Sequence, residues 1–174
     1  QVTSDSSKGQ AIARAGFSRK CQNDCRAPGP CNHSDMIHEA LKPEWILPAR
    51  KGSLREALAE MLRRAEMEVT EDRMAALEES LLRPEYATAD AAFPHLTLPD
   101  LEHSRVLLAL FPAGISSPHG TIYTAAMLLS PERDSVRHLQ MLERLAALLP
   151  SVSRELSRLK TVSAIENRFS RAEQ

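Results

Sequence analysis

Aromatic side chains are scarce in this 174-residue chain, which has four Phe, two Tyr and one Trp. A core must therefore be filled mainly by Leu and Ala, with little ring stacking to help. Cysteine is missing after residue 31, and the three that exist (Cys21, Cys25 and Cys31) are an odd number crowded near the N-terminus. That pattern excludes a disulfide framework. No apolar run approaches the roughly 20 residues that a membrane span needs, and no secretory signal pattern opens the chain. An excess of either charge is also lacking. The 22 Lys and Arg nearly balance 23 Asp and Glu, for a net charge of −1, so the footprint of a nucleic-acid or membrane-surface binder is absent. We read the protein as cytoplasmic, without direct membrane insertion. Because the chain opens on Gln1 rather than Met, a fragment of a longer protein, such as the cytosolic part of a transporter, is also an expectation.

The length suits one domain with an appendage. Residues 1–34 are rich in Ser, Gly, Asn and Pro and hold five Lys or Arg against two Asp. So polar a segment cannot bury enough surface to offset its ordering entropy. We therefore divide the chain into a flexible leader, 1–40, and a folded domain, 41–174. The spacing of Cys21, Cys25, Cys31 and His33 invites a zinc reading, but the tight paired knuckles of a structural zinc site are missing. We read these as free thiols and assign no metal.

What is present is a regular alternation of strand and helix signals. "EWILPAR" is a short apolar run broken by Pro48, as at a sheet edge. Ser53 and Glu56 form a capping box ahead of a helix with Leu54, Leu58, Met61, Leu62 and Ala65 on one face. Thr70 caps a second helix whose buried stripe is Met74, Leu77, Leu81 and Leu82, ended by Pro84. "SRVLLALF" (104–111) and "GTIYTAAMLLS" (120–130) are apolar without strict alternation, as expected of strands covered on both faces. Pro112 and Gly114 punctuate the first of them. A third helix is expected from a Ser130 cap and Pro131 to a stop at Pro150, with Val136, Leu139, Leu142, Leu145 and Leu149 along one side. Two short helices follow, the second capped by Thr161. The class is α/β: a central mixed sheet flanked by helices.

Two histidines stand at element boundaries. His95 follows Pro94 before "LTLPDL", and His138 lies early in the third helix. Strand ends and helix starts gather at one edge of such a sheet, where ligands bind. Arg83, beside Pro84, can reach the same edge. Histidines in loops are ordinarily solvated, and His103 and His119 are read that way. A neutral imidazole with one nitrogen open to solvent can attack a phosphoryl group near neutral pH. A second imidazole and an arginine would steady the transferred oxygens.

From about Trp45 to the C-terminus the order of these strings resembles the enzyme IIA domain of the fructose–mannitol class in the sugar phosphotransferase system, with its nitrogen-regulatory relatives. "AFPH" (92–95) matches the family's small-hydrophobic-Pro-His signature. The following leucine-proline-strand-"AGI" order and "SPERDSVRHLQMLERLAALL" match the segments after it. The resemblance implies that His95 accepts a phosphoryl group, that His138 is the second active-site histidine, and that Arg83 and Thr88 bind phosphate. The implied activity is histidine phosphotransfer without a cofactor, in phosphoenolpyruvate-dependent sugar transport or nitrogen regulation. The donor would be the small histidine phosphocarrier protein, and the recipient a IIB domain or a regulated protein. Two features depart from the pattern. The family's Ser-Thr, glycine-rich segment before the Pro-His is here the shorter, glycine-free "PEYATADAA", and Thr97 stands where the family often has arginine. A second expectation is therefore a catalytically silent regulatory or interaction module on the same fold.

Overall fold

A computed structural model of the chain describes residues 37–48, 50–88 and 90–174. The leader up to residue 36, with its cysteines and His33, lies outside the described residues. A 3₁₀ turn at Ile37–Ala40 buries both end residues, Ile37 completely.

Strand β1 (Leu41–Leu47) is followed by helices α1 (Leu54–Arg64) and α2 (Glu71–Ser80). The short strands β2 (Ala91–Ala92) and β3 (His95–Leu98) precede a long hairpin, β4 (Arg105–Ser117) and β5 (Gly120–Pro131). Helices α3 (Ser135–Arg158) and α4 (Val162–Glu173) close the chain. The sheet runs β1-β4-β5-β2, with β3 also paired to β5. β4 and β5 are antiparallel, while β1 on one side and β2 and β3 on the other run parallel to their neighbours. β1 is an edge strand, as the proline-bounded run implied. Pro43 sits where its register with β4 shifts, a position that needs no ladder N–H.

Alternation along the hairpin divides the core in two. Leu107, Ala109 and Phe111 of β4 and Ala125, Met127 and Leu129 of β5 face α1 and α2. Val106, Leu108, Leu110, Ala126 and Leu128 face α3 and α4. A strand covered on both sides carries no polar alternation, which is why these two read as continuous apolar runs. The mixed sheet with helices on its faces is the class expected from the sequence.

Several local expectations are corrected. Pro112 and Gly114 do not end β4. The strand continues to Ser117 through a register shift between Leu110 and Ile115, with Gly114 at φ +71°, a conformation glycine adopts without steric cost. Ser130 and Pro131 finish β5 instead of opening α3, which starts at Ser135. Pro150 does not stop that helix, which runs on to Arg158 and absorbs the segment read as a separate short helix. The stripe of α3 is also rotated from the expected one. Val136 and Leu139 are exposed, and His138, Met141, Leu142, Leu145 and Leu149 are buried. Leu82, expected in the stripe of α2, is exposed too. The capping box of Ser53 and Glu56 and the caps at Thr70 and Thr161 form as read.

Candidate active site

β2 and β3 lie end to end along β5, interrupted at Phe93 and Pro94, and the Pro94 carbonyl still accepts from Leu128 N–H at 3.0 Å. The proline thus feeds His95 into the first position of β3 with its backbone already in register. Alternation along this broken strand turns Ala91 and Phe93 into the α3 side of the core. His95 projects toward the same side, and the first turns of α3 bring His138 to meet it.

The two imidazoles lie with ring centroids 5.3 Å apart at 55°. His95 is half-buried, and its Nδ1 lies 3.0 Å from the Phe93 carbonyl oxygen. A carbonyl only accepts, so Nδ1 carries the proton and donates. Nε2 is then the nitrogen with the free lone pair. His138 is only 6% exposed, deeper than a residue merely covering the core boundary. Burial, reinforced by the neighbouring His95, lowers its pKa to about 4, so it is neutral near neutral pH. Its Nδ1 is buried without a hydrogen-bond partner.

Both rings line a cavity of ≈ 400 Å³ together with Arg83, Tyr86, Thr97 and Glu79. α2 supplies Glu79, the turn after it supplies Arg83 and Tyr86, and β3 supplies His95 and Thr97. Arg83 is exposed and makes no ion pair among the described residues. Thr88 lies elsewhere. Its hydroxyl accepts from Ala91 N–H at 3.3 Å and bonds the Ala91 carbonyl at 3.2 Å, and it does not line the cavity. Of the four residues singled out from the sequence, three share the cavity and Thr88 does not. Of the two histidines read as solvated, His103 is exposed, whereas His119 is half-buried with an unpartnered Nε2.

Tyr86 was missed by sequence reasoning. Its ring stands edge-on to His95, with centroids 4.5 Å apart at 62°. The signal was present in "PEYATADAA": a segment too short and too poor in glycine to loop around a ligand leaves room for a ring. That segment closes on itself. Tyr86 N–H donates to Arg83 O, Thr88 N–H to Ala91 O, and Phe93 N–H to Tyr86 O. Among the described residues there is no group of three or more His, Cys, Asp or Glu able to hold a metal ion, and no helix long and apolar enough to cross a membrane.

No family model matches the chain, and no curated protein matches it. Solved structures do. The nitrogen regulatory protein IIA-Ntr from Neisseria meningitidis is 21% identical with a TM-score of 0.56, over 76% of this chain and 98% of that one. IIA mannitol from Escherichia coli is 20% identical with a TM-score of 0.57, over 74% of this chain and 97% of the other. The fold is that of the IIA domains. The same Escherichia coli enzyme has also been solved in complex with phosphorylated IIB, and there the TM-score is 0.58 at 20% identity, over 75% of this chain and 98% of that chain. The resemblance drawn from the residues therefore holds at the level of fold, over the portion of the chain expected.

Proposed function

We propose that this chain is a IIA-type phosphocarrier domain that accepts a phosphoryl group on Nε2 of His95. The observation that carries the reading is the meeting of His95 with neutral His138 in one cavity beside the uncommitted Arg83. The His95 Nε2 lone pair attacks phosphorus on a donor phosphohistidine. The new N–P bond forms as the donor's P–N bond breaks, and that electron pair returns to the donor imidazole. The proton on His95 Nδ1 stays in place, held by the Phe93 carbonyl, and offsets the charge change on the ring. The transition state is loose, so the site contributes mainly position and positive potential. Arg83 supplies the potential. With Nδ1 of His138 sealed and partnerless, its proton is better placed on Nε2, available to a phosphoryl oxygen.

The donor and recipient are read as proteins. Leu82, Val136 and Leu139, the exposed large apolar side chains of the described residues (67%, 68% and 60% exposed), all stand on segments that bear the cavity. Leu82 precedes Arg83, and the other two flank His138. Such a rim suits docking of a macromolecule around the reacting centre. The upstream partner is the histidine phosphocarrier protein. The downstream one is a IIB domain, as for the mannitol protein of the same fold, or a regulated protein. The location is cytoplasmic, no cofactor is required because the donor brings the phosphoryl group, and the leader is outside this chemistry.

The test is incubation with the phosphorylated phosphocarrier protein. Wild type should gain an acid-labile, base-stable label that His95→Ala lacks. Absence of label on both, where a known IIA domain is labelled, would leave the second reading: a silent regulatory module. The self-closed, glycine-free segment 84–92 favours that second reading, because it spends backbone N–H groups internally that could otherwise face a phosphate.

A further inference from the structure

We infer that Tyr86 is the positioning residue of this site, setting the orientation and tautomer of His95 in place of a glycine-rich phosphate cradle. The inference concerns the resting imidazole, and its link to rate rests on the phosphocarrier reading. Two hydrogen bonds join the backbone of Tyr86 to the side chain of His95. The Tyr86 carbonyl accepts from Phe93 N–H at 2.8 Å, and the Phe93 carbonyl accepts from His95 Nδ1–H at 3.0 Å. The peptide of Tyr86 therefore holds the very carbonyl that fixes the His95 proton. Its ring closes the same unit from the side, nearer to His95 than His138 is, at 4.5 Å against 5.3 Å. Tyr86 is itself half-buried and packed against the core beneath α3 and α4, so it cannot swing away freely. Its N–H is anchored to the Arg83 carbonyl at 3.0 Å, which ties the cavity's cation to the same turn.

A half-turn of the His95 ring about its Cβ–Cγ bond would exchange Nδ1 with Cδ2 and Nε2 with Cε1, taking Nδ1–H off the Phe93 carbonyl and turning Nε2 away from its present direction. Two features oppose that turn: the Phe93 carbonyl, which would lose its N–H donor and face a carbon, and the Tyr86 ring, which stands edge-on to the imidazole and hinders its rotation. His138 offers no hydrogen bond to His95 among the described residues. It crowds the ring without choosing a tautomer.

The experiment uses the full chain, labelled with ¹⁵N, and long-range imidazole ¹H–¹⁵N spectra of wild type, Tyr86→Phe, Tyr86→Leu and Tyr86→Ala, alongside label transfer from the phosphorylated phosphocarrier protein. Wild type and Tyr86→Phe should show His95 protonated on Nδ1, with similar transfer rates. Tyr86→Leu and Tyr86→Ala should show a mixture of tautomers and transfer slower by roughly ten-fold. If Tyr86→Ala fails to fold, Tyr86→Leu, which keeps bulk without the aromatic edge, decides. An unchanged Nδ1–H tautomer in a folded Leu or Ala variant overturns the inference. If wild type takes no label at all, the acceptor reading falls, and the spectra still decide the role of Tyr86.

Discussion

The ring of His138 lies 5.3 Å from that of His95, yet only one of the two is sealed from water: His138 is 6% exposed. Two imidazoles so close cannot both take a proton cheaply, and the buried one gives way, with its pKa lowered to about 4 by burial first and by His95 second. The unfolded chain binds a proton at His138 near pH 6.5, while the folded chain does not until near pH 4. Stability from this group is therefore complete above pH 6.5 and is lost as pH falls toward 4. By pH 5 the loss should be about 2 kcal/mol. Urea unfolding of wild type and His138→Gln at pH 7 and pH 5 checks it. The variant should lose distinctly less between the two, and equal losses would refute the neutral, buried His138. Carboxylate titration is common to both proteins and cancels in the difference between them.

Arg83 is exposed and without an ion pair among the described residues, so removing it leaves no buried carboxylate uncompensated. Arg83→Ala should leave stability within about 0.5 kcal/mol of wild type. It should slow phosphoryl transfer by roughly 10²-fold, the effect of deleting one charged donor from such a site. Arg83→Lys keeps the charge but loses the two-pronged geometry, and its rate should fall between the two. Single-turnover transfer from a saturating donor protein separates this effect from weaker docking. A rate unchanged in Arg83→Ala would remove the arginine from the site.

Much of this fold was legible because its elements carry their own local punctuation. Ser53 with Glu56, Thr70 and Thr161 each announce a helix start, and each bonds the first turn as the spacing requires. The hairpin was legible from its two apolar runs. The rest was set by tertiary context. Leu82, Val136 and Leu139 look like core residues by type and spacing, but the stripe that meets the sheet on α3 is the one containing His138 and Met141, and nothing local says which of two overlapping stripes docks. The meeting of His95 with His138 depends on sheet topology, which no local pattern specifies. Tyr86 is not legible in the sequence, because its ring reaches His95 only once the turn after α2 packs beside β3.

The exposed apolar side chains give the docking reading its own test. Leu82→Asp, Val136→Asp and Leu139→Asp replace side chains that bury little, so each should change stability by no more than about 0.5 kcal/mol. An acidic residue at position 136 even suits the positive start of α3. Transfer from the phosphocarrier protein should nonetheless weaken, through a KM raised roughly ten-fold or more in Leu82→Asp/Leu139→Asp. Labelling by phosphoramidate, a donor too small to touch the rim, should be unaffected. A loss with both donors would mean the substitutions disturb the site itself, and a loss with neither would mean that partners dock elsewhere.

Pro150 shows how packing overrides a local stop. A proline inside a helix lacks the N–H that would bond the carbonyl four residues back, here that of Ala146, and its ring crowds that turn. The helix continues because its buried side continues: Leu145, Leu149, Val152 and Leu156 all pack on the sheet. Serine hydroxyls nearby take up backbone carbonyls, Ser151 to Leu148 at 2.7 Å and Ser153 to Leu149 at 2.8 Å. Pro150→Ala restores the missing donor, a gain of up to about 3 kcal/mol in an ideal helix. It also frees the unfolded chain, which returns about 0.4–1 kcal/mol. The domain should therefore gain on the order of 1–2 kcal/mol, raising Tm by roughly 3–6 °C in calorimetry. A lower Tm would mean that α3 needs a bend at Pro150 to lie along the sheet. In that case the placement of His138 at the other end of the same helix would depend on the proline as well.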